Sequence, residues 1–282
     1  MKKIAYLFAF TTVFFFSCEE NSTNENDETV IVTSTDTGET TDDNETSTET
    51  DEENDGILPI KIEVVEYIDD EISDEYTITY TYDGLKLISE YHSWGYYLTF
   101  EYENDLLIKI NDVYYRIYET YDYNSEGEIT TGTTYINNNN LTHIYDYTYS
   151  NDDNFIRTTF RDDESDANEI TLLNGNILKN KEIGGDNYSM YEYTYDTKNA
   201  PFKNIISRDE FVRIDSENNY PHLYTKNNIT SFTDSSSNGD DNPSSWMADF
   251  TITYTDDDYP RTITEDHNDG FKYVSTYTYN ND

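Results

Sequence analysis

The sequence predicts an all-β protein: serial antiparallel hairpins forming one large curled sheet or barrel-like domain, behind a disordered acidic N-terminal tail. Three observations predict it. Aromatic and aliphatic residues alternate with threonine at a period of two, which puts them on opposite faces of a strand. Turn residues close nearly every such run. The unit recurs, its closing residues Tyr82, Tyr102, Tyr123, Tyr149, Leu173 and Tyr195 falling 20, 21, 26, 24 and 22 residues apart, the mark of an imperfect repeat.

The chain begins with Lys2-Lys3, a largely apolar run from Ile4 to Phe16, then Ser17 and Cys18. A basic start, a short apolar stretch and a small residue before the cut are the parts of a secretory signal. The run is too short for a membrane-spanning helix, which needs about 20 residues. Phe16-Ser17-Cys18 resembles the lipobox of bacterial lipoproteins, with Phe15 where leucine is more usual. That resemblance implies cleavage after residue 17 and acylation of Cys18, the lipidation site. Cys18 is the sole cysteine of the chain, so it has no partner for an intrachain disulfide. Cys18-Glu19-Glu20 is similar to the surface-export signal of Bacteroidota lipoproteins. It implies an outer-membrane lipoprotein exposed at the cell surface, with the periplasmic face as the alternative.

Residues 18–56 form the lipidated cysteine and its stalk. From Glu19 to Gly56 there are fifteen acids, no base and ten threonines, with too little apolar surface to fold. As a neutral coil the stalk spans roughly 35 Å, and like charges extend it further.

Residues 57–282 form the hairpin domain, with 44 acids against 15 bases and a net charge of −29. A field of that sign repels phosphate backbones and anionic headgroups, which argues against nucleic acid and against direct membrane contact other than the lipid anchor. The chain holds 29 tyrosines, unlike a disordered sequence.

Tyr76, Ile78, Tyr80 and Tyr82 alternate with Thr77, Thr79 and Thr81. The pattern returns at Leu98-Phe100-Tyr102, Tyr121-Tyr123, Tyr145-Tyr147-Tyr149, Tyr191-Tyr193-Tyr195, Ile252-Tyr254 and Tyr277-Tyr279. Asp83-Gly84, Asn104-Asp105, Asn124 to Gly127, Asn151 to Asn154 and Asn174-Gly175 supply the turns. A sheet with one aromatic face must curl, close or dimerise to bury it. A lipid-spanning barrel needs an apolar outer band on every strand, whereas the second face here is Thr, Glu, Lys and Asp. Pro201 to Trp246 breaks the rhythm and reads as long loops, including Ser235 to Asn238 and Asp240 to Ser245, with one short helix near Arg208 to Val212.

Tyr82-Asp83-Gly84 and Tyr195-Asp196 resemble the YD repeats of large secreted shell proteins. Tyr193-Thr194-Tyr195-Asp196, Lys198-Asn199, Pro201-Phe202-Lys203-Asn204, Asn227-Asn228-Ile229, Tyr254 and Asp258-Tyr259-Pro260 resemble uncharacterised Bacteroidota lipoproteins of porin-like or curled β fold. The likeness covers most of Tyr76 to Asn281. It implies fold and location but no reaction.

No GxSxG, HExxH or Walker-type loop is present. His92, His143, His222 and His267 fall in no ligand spacing and read as solvated surface side chains. Glu101 and Glu103 have the chemistry for glycoside hydrolysis, but pairs of this kind arise by chance among 59 acids. A surface hydrolase acting on a polymer such as glycan is therefore the second reading, behind a non-catalytic binding, adhesion or scaffold protein. Asp122 to Gly127 matches the start of a calcium loop, but Thr133 stands where the closing glutamate is needed. Asp240-Asp241 and Asp256-Asp257-Asp258 are candidates for weak Ca²⁺ association alone; no cofactor or dedicated metal site is expected. The candidate ligand-binding residues are Trp94, Tyr96, Tyr97 and Trp246, aromatics in loops with the chemistry to stack on a glycan or to hold a protein ligand.

Overall fold

The computed structural model describes residues 56–136, 140–150, 155–161, 163–184, 187–215, 224–237 and 244–282. The signal segment, Cys18, the stalk, His222, Asp240 and Asp241 lie outside the described residues. Among the described residues the chain forms sixteen strands and one helix: β1 (Pro59–Ile68), β2 (Glu71–Asp83), β3 (Lys86–His92), β4 (Tyr97–Glu103), β5 (Leu106–Asp112), β6 (Ile117–Tyr123), β7 (Ile129–Ile136), β8 (Asn140–Tyr149), β9 (Phe155–Phe160), β10 (Asp163–Leu173), β11 (Asn176–Gly184), β12 (Asn187–Tyr195), α1 (Arg208–Asp215), β13 (Ile229–Ser237), β14 (Ser244–Tyr254), β15 (Pro260–His267) and β16 (Phe271–Tyr279). Each strand pairs antiparallel with its neighbours in sequence, and β1 pairs with β16 to close a barrel. Closure leaves no strand edge open.

The turns follow from the residues present. Asp69-Asp70, Asn104-Asp105 and Asn174-Gly175 all have positive φ, the conformation a two-residue hairpin with the right twist demands. At Asp122 to Gly127 the structure places a plain hairpin turn: the Asn124 side-chain oxygen accepts from the Glu126 and Glu128 backbone N–H groups at 2.9 and 3.0 Å.

The aromatic face points inward. Tyr80, Phe100, Tyr121, Tyr147, Tyr193, Tyr277 and Tyr279 are buried with Ile62, Val64, Leu87, Leu107, Ile129, Ile156, Ile170 and Ile177 in one core. The outer face is polar around the circumference. Cross-strand partners there include Lys61 with Thr79, Glu101 with Lys109, Asp122 with Thr131, Glu169 with Lys181, Thr194 with Ser231, Thr251 with Thr264 and Thr262 with Thr276.

A device tied to the repeat holds the strands at one end. In β1, β3, β5, β7, β11 and β15 the register slips by one residue next to Pro59, Leu87, Leu107, Ile129, Ile177 and Pro260. Such a bulge takes a residue out of the ladder and disturbs the pairing around it. At each of these six positions the carbonyl accepts a tyrosine hydroxyl from the next strand: Tyr82 to Pro59 at 2.6 Å, Tyr102 to Leu87 at 3.0 Å, Tyr123 to Leu107, Tyr149 to Ile129 at 2.8 Å, Tyr195 to Ile177 at 2.6 Å and Tyr279 to Pro260 at 2.8 Å. Burial pushes these phenols above their ordinary range, so they remain protonated donors.

On the connection from β12 to β13, residues 196–215 and 224–228 close the same end from within. Phe202 packs edge-on against Tyr80 with ring centroids 4.9 Å apart, and Phe211 meets Phe100 at 5.4 Å. Arg213 lies 5.1 Å from the Tyr149 ring. Backbone and side-chain bonds tie this plug to Leu85, Asp105, Gly175 and Asp258, at four separate connections of the barrel, and to Ile57 just before β1. A single segment reaches all of them only by crossing the opening.

Three sequence expectations need correction. Ser235 to Ser237 and Ser244 to Ser245, read as loop, belong to β13 and β14, because ladder pairing outweighs weak strand propensity. The repeat position assigned to Leu173 is Leu172. Leu172 packs on the core two residues after buried Ile170, while Leu173 is exposed. The helix near Arg208 to Val212 runs on to Asp215.

Tyr102→Phe and Tyr123→Phe should each cost about 1 kcal/mol, the usual net worth of one hydrogen bond, whereas Tyr91→Phe on the outer face should cost a few tenths at most. Urea denaturation midpoints of the three variants check this, and equal losses would contradict it.

Candidate functional site

At the end opposite the plug, the β3–β4 loop turns through Gly95, whose φ of 105° suits glycine. It carries Trp94 and Tyr96, whose rings stack at 5.3 Å and 19°. Tyr114 and Tyr115 on the β5–β6 connection meet them, Tyr114 edge-on to Trp94 at 5.8 Å and Tyr115 6.1 Å from Tyr96. Trp94, Tyr114 and Tyr115 are more than half exposed, at 51%, 53% and 58%. Tyr97 does not join them. It points to the outer face and meets Tyr91 at 6.2 Å. Trp246 lies on β14 and faces inward, its ring 4.4 Å from His267 and stacked on it at 18°; Phe232 stands edge-on at 5.1 Å.

The two tryptophans do not touch, yet a run of inward side chains links them along the wall. His267 meets Tyr273 at 5.6 Å, and Tyr273 faces Glu66 across β16 and β1. Glu66 is hydrogen-bonded to Tyr76. Tyr76 stacks on His92 at 6.2 Å, and His92 meets Trp94 at 5.3 Å. The arc runs from β14 through the closing seam to the β5–β6 connection.

Two Glu-x-His pairs brace it, each two strands from β1. His92 Nε2 lies 2.6 Å from Glu90 Oε1, and His267 Nε2 lies 2.8 Å from Glu265 Oε1, the latter off the line a hydrogen bond needs. Glu90 and His267 are buried, at 8% and 5% exposure. The reading of these two histidines as solvated surface side chains is thus corrected: residues two apart on a strand share a face, and here that face is the inner one. His143 is exposed, as expected. Glu-x-His at strand period was the available signal. Nothing local marked Glu66, Tyr76 or Tyr273, because their meeting depends on the β1–β16 seam.

Other candidates lie elsewhere. Glu101 pairs with Lys109 at 2.7 Å on the outer face, and Glu103 is exposed beside a turn. A surface cavity of 330 Å³ is lined by Asp146, Thr148, Arg157, Thr159, Phe160 and Arg161. Its two arginines are paired with Glu169 and Asp146, which spends their charge. Among the described residues no group of three His, Cys, Asp or Glu is placed to hold a metal ion.

Burial, and then the nearby Asp74 charge, push the Glu66 carboxyl above its ordinary value of 4.5, while its bond with Tyr76 pulls the other way. A carboxyl with a raised pKa holds its proton longer in the fold than in the unfolded chain. Its stabilising effect is therefore full below 4.5 and is lost as pH rises through the folded value. Glu66→Gln should lessen that loss and raise stability near neutral pH; denaturation at about pH 4 and about pH 7 compares the two proteins.

No protein-family model matches the chain, and no curated protein matches it in sequence. The fold is similar to that of a porin-like protein from Bacteroides uniformis, with a TM-score of 0.50 and 18% identity over 78% of this chain and 96% of that one. A porin-like protein from Bacteroides vulgatus scores 0.49 at 13% identity, over 80% of this chain and 99% of that one. At such identity the likeness speaks for a shared porin-like barrel alone.

Proposed function

We propose that the protein is a non-catalytic lipoprotein of the outer membrane, displayed at the cell surface, whose barrel offers an aromatic mouth to an external ligand. The observation that carries this is the Trp94–Tyr96 stack with Tyr114 and Tyr115 beside it. Large rings left half in water are costly unless they meet something, and flat rings of this kind suit the faces of a glycan or the side chains of a protein. Glu90 and His92 stiffen the base of the loop, so less freedom is lost on binding.

The polar outer face supports a barrel bathed in water, since a lipid-facing wall would need an apolar band. The plug supports a cup in place of a channel. The chain enters the barrel at the closed end, where Leu58 N–H donates to Asn280 Oδ1 at 3.0 Å. The mouth therefore lies at the end of the barrel opposite the one where the chain enters β1.

Trp94→Ala should abolish capture on glycan and protein arrays that the parent shows, while Tyr97→Ala should leave it unchanged. Equal capture by Trp94→Ala and the parent rules out the mouth as the site. Turnover of a polymer that a single carboxylate substitution abolishes would favour a hydrolase. Cys18→Ala should move the protein from the detergent phase to the aqueous phase on Triton partition; retention in detergent would refute the anchor.

A further inference from the structure

The inner wall that continues from the β14 end of the arc gathers polar side chains without partners among the described residues. On β9, β10 and β11, Thr158, Asn168 and Glu182 face one another across successive strands and look inward. One rung over, Tyr191, Asp234 and Trp246 do the same on β12, β13 and β14. Thr158 and Asn168 are buried, at 3% and 9% exposure. The Thr158 hydroxyl, both amide atoms of Asn168, Asp234 Oδ1 and Trp246 Nε1 have no hydrogen-bond partner among the described residues.

Each buried polar group left unpaired forfeits its hydration without return, and apolar groups of the same shape remove that cost. Val64, Leu87 and Leu107 show that the chain places apolar side chains at other inward positions of the barrel. Groups this costly gathered on two adjacent rungs mark a place kept for something other than folding.

We infer that these two rungs form the hydrogen-bonding subsite for a neutral saccharide unit of a glycan entering at the mouth; this rests on the mouth being the binding site. The chemistry selects the class. Glu182 and Asp234, within a domain of net charge −29, disfavour an anionic ligand. A lipid chain would leave the amide, hydroxyl and indole N–H unpaired. Sugar hydroxyls both donate and accept, as the Asn168 amide does, and a sugar's C–H face suits Tyr191 and Trp246. Trp246 and Asp234 are only partly buried, so the subsite is reachable from the end of the rung nearest the aromatic arc.

The chain has two tryptophans, one in the mouth and one in this subsite, so each reports its own half. The full-length protein is labelled with 5-fluorotryptophan, so that both rings stay in place and each gives its own fluorine signal, assigned from sugar-free spectra of Trp94→Phe and Trp246→Phe. It is titrated with maltose-type, laminarin-type and chitin-type hexasaccharides. The expected result is a saturable shift of the Trp246 signal with at least one of them. The double variant Thr158→Val, Asn168→Leu should then weaken that binding roughly tenfold or more without lowering the thermal midpoint. Silence of Trp246 with all three sugars overturns the proposal. So does unchanged binding by the double variant, or a lowered midpoint, which would show a network satisfied for structure alone. A response of Trp94 without one from Trp246 rejects this subsite and leaves the mouth standing.

Discussion

One constraint governs the rest: a continuous face of tyrosine must leave water while the phenol hydroxyls that close the repeats keep partners. Closure of the sheet meets the first demand. The second is harder, because in a regular ladder the backbone carbonyls are already engaged. The bulges resolve it by disturbing the ladder at Pro59, Leu87, Leu107, Ile129, Ile177 and Pro260, each facing a tyrosine on the following strand. The exceptional hairpin supports the link. Between β8 and β9 the register runs without a slip, and the next strand carries Leu172 where the others carry tyrosine. Tyrosine and bulge are absent together. Tyr254 departs in a different way, giving its hydroxyl to Asp196, which also anchors Asn228 at the foot of the plug.

Much of this was legible in the residues. Strict alternation from Tyr76 to Tyr82 and the Asn-Gly and Asp-Gly turns were enough for serial hairpins, because strand period and turn conformation are local properties. What stayed hidden was non-local. β1 carries Ile62 and Val64 but no tyrosine repeat, so nothing marked it as the strand that closes the barrel. The plug reads as irregular loop because its stabilising contacts, Phe202 on Tyr80 and Phe211 on Phe100, join residues more than a hundred positions apart. Of the candidate site, Trp94 and Tyr96 were legible as a loop pair, while Tyr97 differs from Tyr96 by one residue and so by one face. The link from Trp94 toward Trp246 passes through Glu66 and Tyr273, across a seam the sequence does not announce.

The barrel shares its architecture with porin-like proteins yet distributes polarity in the opposite sense from a lipid-spanning barrel. Threonine and paired charges face out, and aromatic and aliphatic side chains face in. Strand number and closure are set by backbone pairing, whereas the surrounding solvent is set by which parity carries the apolar residues. One barrel architecture thus accepts either parity of apolar residues. Exposed ion pairs such as Glu101–Lys109 and Lys179–Glu192 add little stability, but they keep the outer face polar.

The two ends of the barrel obey different rules, and that difference is itself evidence. At the closed end nearly every group is accounted for: phenols meet bulged carbonyls, turns have the φ angles their residues favour, and the plug fills the interior. The Tyr80 hydroxyl and Asn228 Oδ1 are the departures there. Toward the far end the departures accumulate, with half-exposed Trp94, Tyr114 and Tyr115, a raised Glu66, and Asn168, Thr158 and Asp234, whose polar atoms have no hydrogen-bond partner among the described residues. Folding alone gives no reason for the asymmetry, since the sequence shows in its first hairpins that it can satisfy such groups. Stability concentrated at one end leaves the other free to carry side chains that a purely structural barrel would have replaced, and a ligand site is the kind of selection that keeps them.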